Sequence, residues 1–266
     1  MMHATLTNIE RAAVGALSLI VILGLLAGCS LLGSPSSQTG DQAILASCPP
    51  DVRMAADVEV DGSGSSSGDA ITSERLAIIA DVVRRTAICG NGHLIVRAFS
   101  ASSGATVTIY DGDLTLPGAT NNARLRRVDA LVEEVMAEIT AMYSDAIAAL
   151  PDGGSDITSV YRLAGEYAAQ MGDDQLHLYV LTDGLNNIGT DLTSQVLTPE
   201  QATELASTVS VPALPGSSIT VAGLGRINGD PAPSALVEGL VAFYNALCAK
   251  TGAKTCVSVT DYTAGR

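Results

Sequence analysis

Three short segments concentrate side-chain oxygens beside glycine. Asp61-Gly62-Ser63-Gly64-Ser65 is the first and Gly153-Gly154-Ser155-Asp156 the second; the third is Thr182-Asp183-Gly184, with Asn186 and Asn187 just beyond. They carry carboxylates and hydroxyls but no imidazole or thiol. Brought together, two or three such carboxylates would raise one another's pKa unless a cation compensates. A hard divalent ion takes oxygen ligands of this type, Mg²⁺ foremost, with Mn²⁺ or Ca²⁺ as alternatives. The glycines let the backbone turn sharply and admit a partner near the ion. Each segment alone also reads as an ordinary polar loop, with Ser63 or Ser65 as a helix cap and Ser155 or Asp156 as the N-cap of a following helix.

Other chemistry starts with little material. The chain has three histidines, one of them at position 3. Gly64-Ser65-Ser66-Ser67-Gly68 fits the G-x-S-x-G pattern of a nucleophile elbow, after a strand and before a helix. An extracytoplasmic serine hydrolase built on it needs a His base downstream. His93 and His177 open predicted strands at the sheet end away from these loops, where they read as structural. Gly223-Leu224-Gly225 hints at a dinucleotide loop, but the third glycine, Gly229, is one place late for G-x-G-x-x-G, and no P-loop is present.

Strands and helices must position these loops. Apolar alternation predicts strands at Asp57 to Val60, His93 to Phe99, Ala105 to Tyr110, Leu176 to Leu181, Ser218 to Ala222 and Cys256 to Thr260. Helices are predicted over Ile71 to Ile88, Ala123 to Leu150, Ile157 to Gln170, Pro199 to Thr208 and Ser234 to Ala249. In the longest, Leu125, Val128, Leu131, Val132, Val135 and Ile139 step by threes and fours, and the charges lie opposite. The short link between the second and third strands implies an antiparallel hairpin, because a parallel crossover needs a dozen residues or more. The expected fold is therefore α/β: a Rossmann-like open, mostly parallel sheet with one antiparallel edge strand and helices on both faces. In such sheets ligands bind at the carboxyl ends of the strands, where the three oxygen-rich loops fall.

At this point the chain resembles a von Willebrand factor A domain. Asp61-x-Ser63-x-Ser65 resembles the first element of that family's metal-ion-dependent adhesion site, and Gly153-Gly154-Ser155-Asp156-Ile157 its Gly-Gly-Thr-Asp-Ile loop. Leu181-Thr182-Asp183-Gly184 resembles the third element, and the likeness covers about residues 52–261 in family order. It implies that Ser63, Ser65 and Ser155 coordinate a metal, that Asp61 and Asp183 act directly or through water, and that an acidic partner side chain completes the shell. Two departures stand out. Ser155 replaces the usual Thr, keeping the hydroxyl but losing the methyl that fixes its rotamer. The family's C-terminal helix is expected to be missing or reduced, so no allosteric mechanism carries over. The long helix from Ala123 is expected to offer a partner surface.

Composition narrows the partners. The chain has 266 residues, 47% hydrophobic and 16% charged, so it can build a core, made mostly of Ala, Val, Leu and Ile because aromatics are scarce. With 28 acids against 14 bases the formal charge is −14 and only two lysines are present, which argues against nucleic acid. After Glu10 and Arg11 an uncharged run, Ala12 to Gly28, reads as an export signal. Leu26-Ala27-Gly28-Cys29 resembles the bacterial lipobox, in which the cysteine is lipidated and becomes the first mature residue; an uncleaved anchor helix is the alternative. Residues 1–28 thus read as a signal peptide, 29–47 as a flexible tether and 48–266 as the domain. Four cysteines remain, and an even count outside the cytoplasm reads as two disulfides. Positions along the elements favour Cys48–Cys89 and Cys248–Cys256; zinc competes poorly without C-x-x-C or a nearby His.

The sequence therefore points to a lipid-anchored protein on the extracytoplasmic face of a bacterial membrane. Its one domain is expected to bind a divalent cation through Asp61, Ser63, Ser65, Ser155 and Asp183. Through that ion it would bind a protein or other carboxylate-bearing ligand. A binding module is expected, not an enzyme, with a metal-free scaffold of the same fold and the serine hydrolase as alternatives.

Overall fold

The computed structural model describes residues 35–262 apart from 103, 173, 230 and 231. The expected signal peptide, Cys29 and the start of the tether lie outside the described residues. Compactness divides the chain into Met1–Gln42 and Ala43–Arg266, and the sheet lies wholly in the second unit.

Six strands form one sheet: β1 (Met54–Asp61), β2 (His93–Phe99), β3 (Val107–Asp113), β4 (Gln175–Leu181), β5 (Ser218–Ala222) and β6 (Thr255–Val259). Their order is β3-β2-β1-β4-β5-β6. All neighbours are parallel except β2 and β3, the expected antiparallel edge. The chain leaves β1 toward one edge and later returns to β4 on its other side, so the order reverses between β1 and β4. That reversal opens a crevice at the carboxyl ends of the two strands.

Helices cover both faces. They are α1 (Pro35–Ser47), α2 (Asp69–Ile88), α3 (Asn121–Leu125), α4 (Val128–Ala148), α5 (Ile157–Met171), α6 (Pro199–Thr208) and α7 (Ser234–Lys250). Strand parity sorts the core into two clusters. Val58 and Val60 of β1 pack with Ile79 and Val83 of α2 and Ile139 of α4. Ala55 of β1 and Val180 of β4 pack with Tyr161 of α5 and Phe243 of α7 on the opposite face. Among the described residues no helix is long and apolar enough to cross a membrane.

Sequence and structure differ at several places, among them β3, which runs Val107–Asp113 instead of the expected Ala105 to Tyr110. Pro35–Ser47, expected as part of the tether, is helical, and its Ile44 and Leu45 pack against the α2-side core beside Cys48. The single helix expected from Ala123 is two. Thr120 caps the short α3 by accepting from the Ala123 amide, and Arg124 donates to Asn91 Oδ1, which turns the chain before α4 begins. β1 begins three residues before the expected Asp57, because Met54 to Ala56 pair with β4, and Ala55 and Ala56 also with β2. Both expected disulfides form, Cys48–Cys89 and Cys248–Cys256.

Strand β1 also carries acids into the interior. Asp57 and Glu59 are fully buried on the face that holds Asp61. Arg97, beside Glu59 on β2, donates to both Asp57 carboxylate oxygens at 2.8 Å and to Glu59 Oε1 at 2.6 Å, leaving Glu59 Oε2 without a hydrogen bond. Burial pushes Asp57 up to about 6 and Glu59 well above the usual carboxylate range, against the pull of the guanidinium. Removing one member of a buried charge network leaves the others uncompensated and typically costs about 3–5 kcal/mol. Arg97→Met is therefore expected to lower unfolding stability at neutral pH by that amount in urea titrations, with part of the loss recovered on acidification. An unchanged urea midpoint would mean that the network contributes nothing.

Candidate metal centre

The three oxygen-rich loops meet at the crevice between β1 and β4. Asp61 ends β1, fully buried, and its carboxylate collects all three loops. Its Oδ1 accepts from the Ser63 amide at 2.9 Å and from Ser155 Oγ at 3.2 Å. Its Oδ2 accepts from Thr182 Oγ1 at 2.6 Å. Ser63 and Ser65 stand half-exposed with their hydroxyls 3.5 Å apart, and the Ser65 hydroxyl lies close enough to Asp183 to favour its charged form. Asp61, Ser63, Ser65, Ser155 and Asp183 thus form one connected cluster.

Each loop is held by local chemistry. Asp156 is the N-cap of α5, accepting from the Ser159 amide, which leaves the neighbouring Ser155 hydroxyl to face Asp61. Asn187 Oδ1 accepts from the Ser155 amide at 2.8 Å. A Cβ on Gly154 would stand 2.3 Å from that same oxygen, so only glycine leaves room for the contact. Asn186 Oδ1 accepts from the Ile157 and Thr158 amides, tying the third loop to the start of α5. After β4 the chain turns through Gly184, at φ +85°, where its carbonyl accepts from the Tyr244 hydroxyl at 3.0 Å. Positive φ of this kind carries little penalty only for glycine.

Asp183 shows what the cluster lacks. It is fully buried, with Oδ1 accepting from the Leu185 amide at 2.9 Å and Oδ2 without a hydrogen bond among the described residues. Burial and the nearby Asp61 charge push its pKa up to about 6, while Ser65 and the Leu185 amide pull the other way. A buried carboxylate oxygen left unpartnered is costly, and a hard cation is the partner that would satisfy it. The donor set fits an oxygen-liganded ion, two carboxylates and several hydroxyls. Among the described residues no three His, Cys, Asp or Glu side chains converge, so the hydroxyls must supply the remaining ligands.

Sequence reasoning missed the support beneath the site. Arg75 of α2 is 2% exposed and donates to the Asp61 carbonyl at 2.7 Å, to Ser66 Oγ at 2.5 Å and to the Tyr262 hydroxyl at 3.1 Å. The only signal in the sequence was a charge on the apolar side of the helix, one residue before Leu76. Ser66, the centre of the G-x-S-x-G run, is fully buried and also accepts from the Asp183 amide at 3.2 Å. His93 pairs instead with the Tyr167 hydroxyl and Asp111, and His177 lies near the start of β4. The structure thus sets no histidine beside Ser66 among the described residues.

No protein-family profile matches the sequence, and no curated protein is significantly similar to it. Several solved structures show a limited likeness to the chain. The chain is 12% identical to the manganese-loaded TRAP protein of Plasmodium vivax over 71% of this chain and 62% of that one, with a TM-score of 0.37. It is 14% identical to a mutant of the PilB minor pilin of Streptococcus sanguinis over 82% and 60%, with a TM-score of 0.46. It is 12% identical to the pilus adhesin SpaC of Lactobacillus rhamnosus GG, in an open conformation, over 80% and 28%, with a TM-score of 0.39. The chain spans less than two thirds of each of these proteins.

The raised pKa of Asp183 has a defined sign in stability. The folded form holds this proton up to about pH 6, against 3.8 for an ordinary aspartate. Its contribution is therefore most favourable below the ordinary value and is lost as pH climbs through about 6. Asp183→Asn removes the charge and keeps the Oδ1 acceptor. In EDTA the variant is expected to melt higher than the wild type at neutral pH, by a margin that narrows as pH falls toward 4. A variant that melts lower than the wild type at neutral pH would show that the carboxylate is already satisfied.

Proposed function

We propose that this chain is an adhesion module of the von Willebrand factor A type, exported and lipid-anchored through Cys29. In this reading it binds a divalent cation at the β1–β4 crevice, Mg²⁺ foremost with Mn²⁺ or Ca²⁺ as alternatives. The observation that carries it is the buried, unpartnered Oδ2 of Asp183 beside a second buried carboxylate, inside a ring of hydroxyls from three separate loops. Asp61, Ser63, Ser65, Ser155 and Asp183 would hold the ion. The ion would supply local positive charge on a chain of net charge −14, allowing a carboxylate from a protein or other acidic ligand to approach.

In that role the residues divide the work. Asp61 fixes the loops relative to one another, Asp183 contributes charge, and the half-exposed Ser63 and Ser65 face the side from which a partner arrives. Arg75 holds the loop from below through the Asp61 carbonyl and Ser66. A metal-free scaffold of the same fold is the second reading, favoured by the Asp61 carboxylate, both of whose oxygens already accept hydrogen bonds within the protein. Burial of Ser66 speaks against the hydrolase, and the function proposed is binding, not catalysis.

The test is a thermal melt of residues 35–266 in EDTA and then with Mg²⁺, Mn²⁺ or Ca²⁺, with calorimetric titration alongside. Metal at about 100 times its dissociation constant should add about 2.7 kcal/mol to stability, and Asp183→Asn should abolish that gain. No heat of binding and superimposable melts for all three ions would leave the metal-free scaffold as the function.

A further inference from the structure

A second cavity lies at the opposite end of β4 and β5 from the metal loops, between the sheet and the carboxyl-terminal half of α2. Its volume is about 390 Å³, within the range of small-ligand sites. Its polar lining includes Arg85 of α2, His177 and Tyr179 of β4, and Ser218 of β5. Arg84 also lines it, but that guanidinium is bound to Asp129, and Asp81 adds one carboxylate to the wall. Arg85 is different. Its side chain makes no hydrogen bond and no ion pair among the described residues, although it lies close enough to His177 and Tyr179 to act on both electrostatically. A half-buried guanidinium without a carboxylate is notable in a chain with twice as many acids as bases.

The rest of the wall is apolar or hydroxylic. Ile78, Val82 and Val257 line one side, and Thr220 offers a hydroxyl from β5. Burial and Arg85 lower His177 to about 4, so the imidazole is neutral and presents one N–H donor and one acceptor without adding charge. The cavity thus offers one planar cation, neutral donors beside it and a short aliphatic wall. A guanidinium recognises a carboxylate through two parallel N–H donors, which a neutral ligand cannot exploit.

We propose that this cavity is a binding site for a small organic carboxylate with a short aliphatic body, its carboxylate on Arg85 and its chain against Ile78, Val82 and Val257. The site is independent of the metal centre.

The chain holds three histidines, His3, His93 and His177, so histidine-selective ¹⁵N labelling of the full-length protein reads the cavity through one of three ring signals. Titration with hexanoate is expected to move the His177 ring resonances saturably while His93, held by Tyr167 and Asp111, stays in place. Hexanol, with the same body and no charge, should bind at least about tenfold more weakly, and Arg85→Gln should weaken hexanoate by at least about tenfold. A His177 signal unmoved by hexanoate overturns the site. Equal binding of hexanol, or unchanged hexanoate affinity in Arg85→Gln, overturns the carboxylate assignment. Tighter binding of inorganic phosphate than of hexanoate overturns the organic-acid class. The comparison of hexanoate with hexanol on the wild type needs no variant to fold.

Discussion

The Asp61 carboxylate sits at the end of a central parallel strand, fully buried, and three loops are oriented by what they donate to it. The Ser63 amide, Ser155 Oγ and Thr182 Oγ1 come from positions up to 121 residues from Asp61 in the chain. A buried charge in this position must be met by donors or by a cation. The protein meets part of that demand with hydroxyls and amides, and part with Arg75 beneath, whose guanidinium binds the Asp61 carbonyl. Asp183 is the remainder, a second carboxylate that the same donors do not fully satisfy. The topology makes this arrangement accessible: the strand order reverses between β1 and β4, so the connections leaving their carboxyl ends run in opposite directions and leave the crevice open.

The same strand carries a second charge problem further in. Asp57, Glu59 and Asp61 alternate onto one face of β1, and the first two are compensated differently from the third. Arg97 answers the first two from β2, where parallel register sets it beside Glu59. Such a network stabilises little in net terms compared with apolar packing but is expensive to break. It therefore pins the register of β1 against β2, and with it the height at which Asp61 emerges from the sheet.

Both disulfides close the opposite end. Cys48–Cys89 joins the segment entering β1 to the end of α2, and Cys248–Cys256 joins the end of α7 to β6. Both lie near the amino-terminal ends of the strands, while the carboxyl ends remain free for loops. The cavity at Arg85 lies at that closed end, where α2 leaves part of β4 and β5 uncovered. The two ends of the sheet thus differ in chemistry: carboxylates and hydroxyls at one, the Arg85 guanidinium and a neutral imidazole in the cavity at the other.

Much of this was legible from residue order. Alternation and helical periodicity place six strands and the main helices, the short hairpin link makes β3 antiparallel, and cysteine positions along the elements indicate both pairs. The oxygen-rich loops are visible as Asp61-x-Ser63-x-Ser65, Ser155 and Thr182-Asp183, because glycine and small hydroxylic residues cluster there for a local reason, the turn. Arg75, Arg97 and Arg85 are different. Whether an arginine within a helix or strand faces water, a buried carboxylate or an empty cavity depends on what lies across the sheet, and spacing along the chain carries no such information. Likewise Pro35–Ser47 shows weak periodicity and reads as a tether, yet Ile44 and Leu45 find the core. The sequence determined which groups could do chemistry and which strand ends would carry them. Only the tertiary structure decided which charges were compensated, since compensation of a buried charge is settled by neighbours distant in the chain.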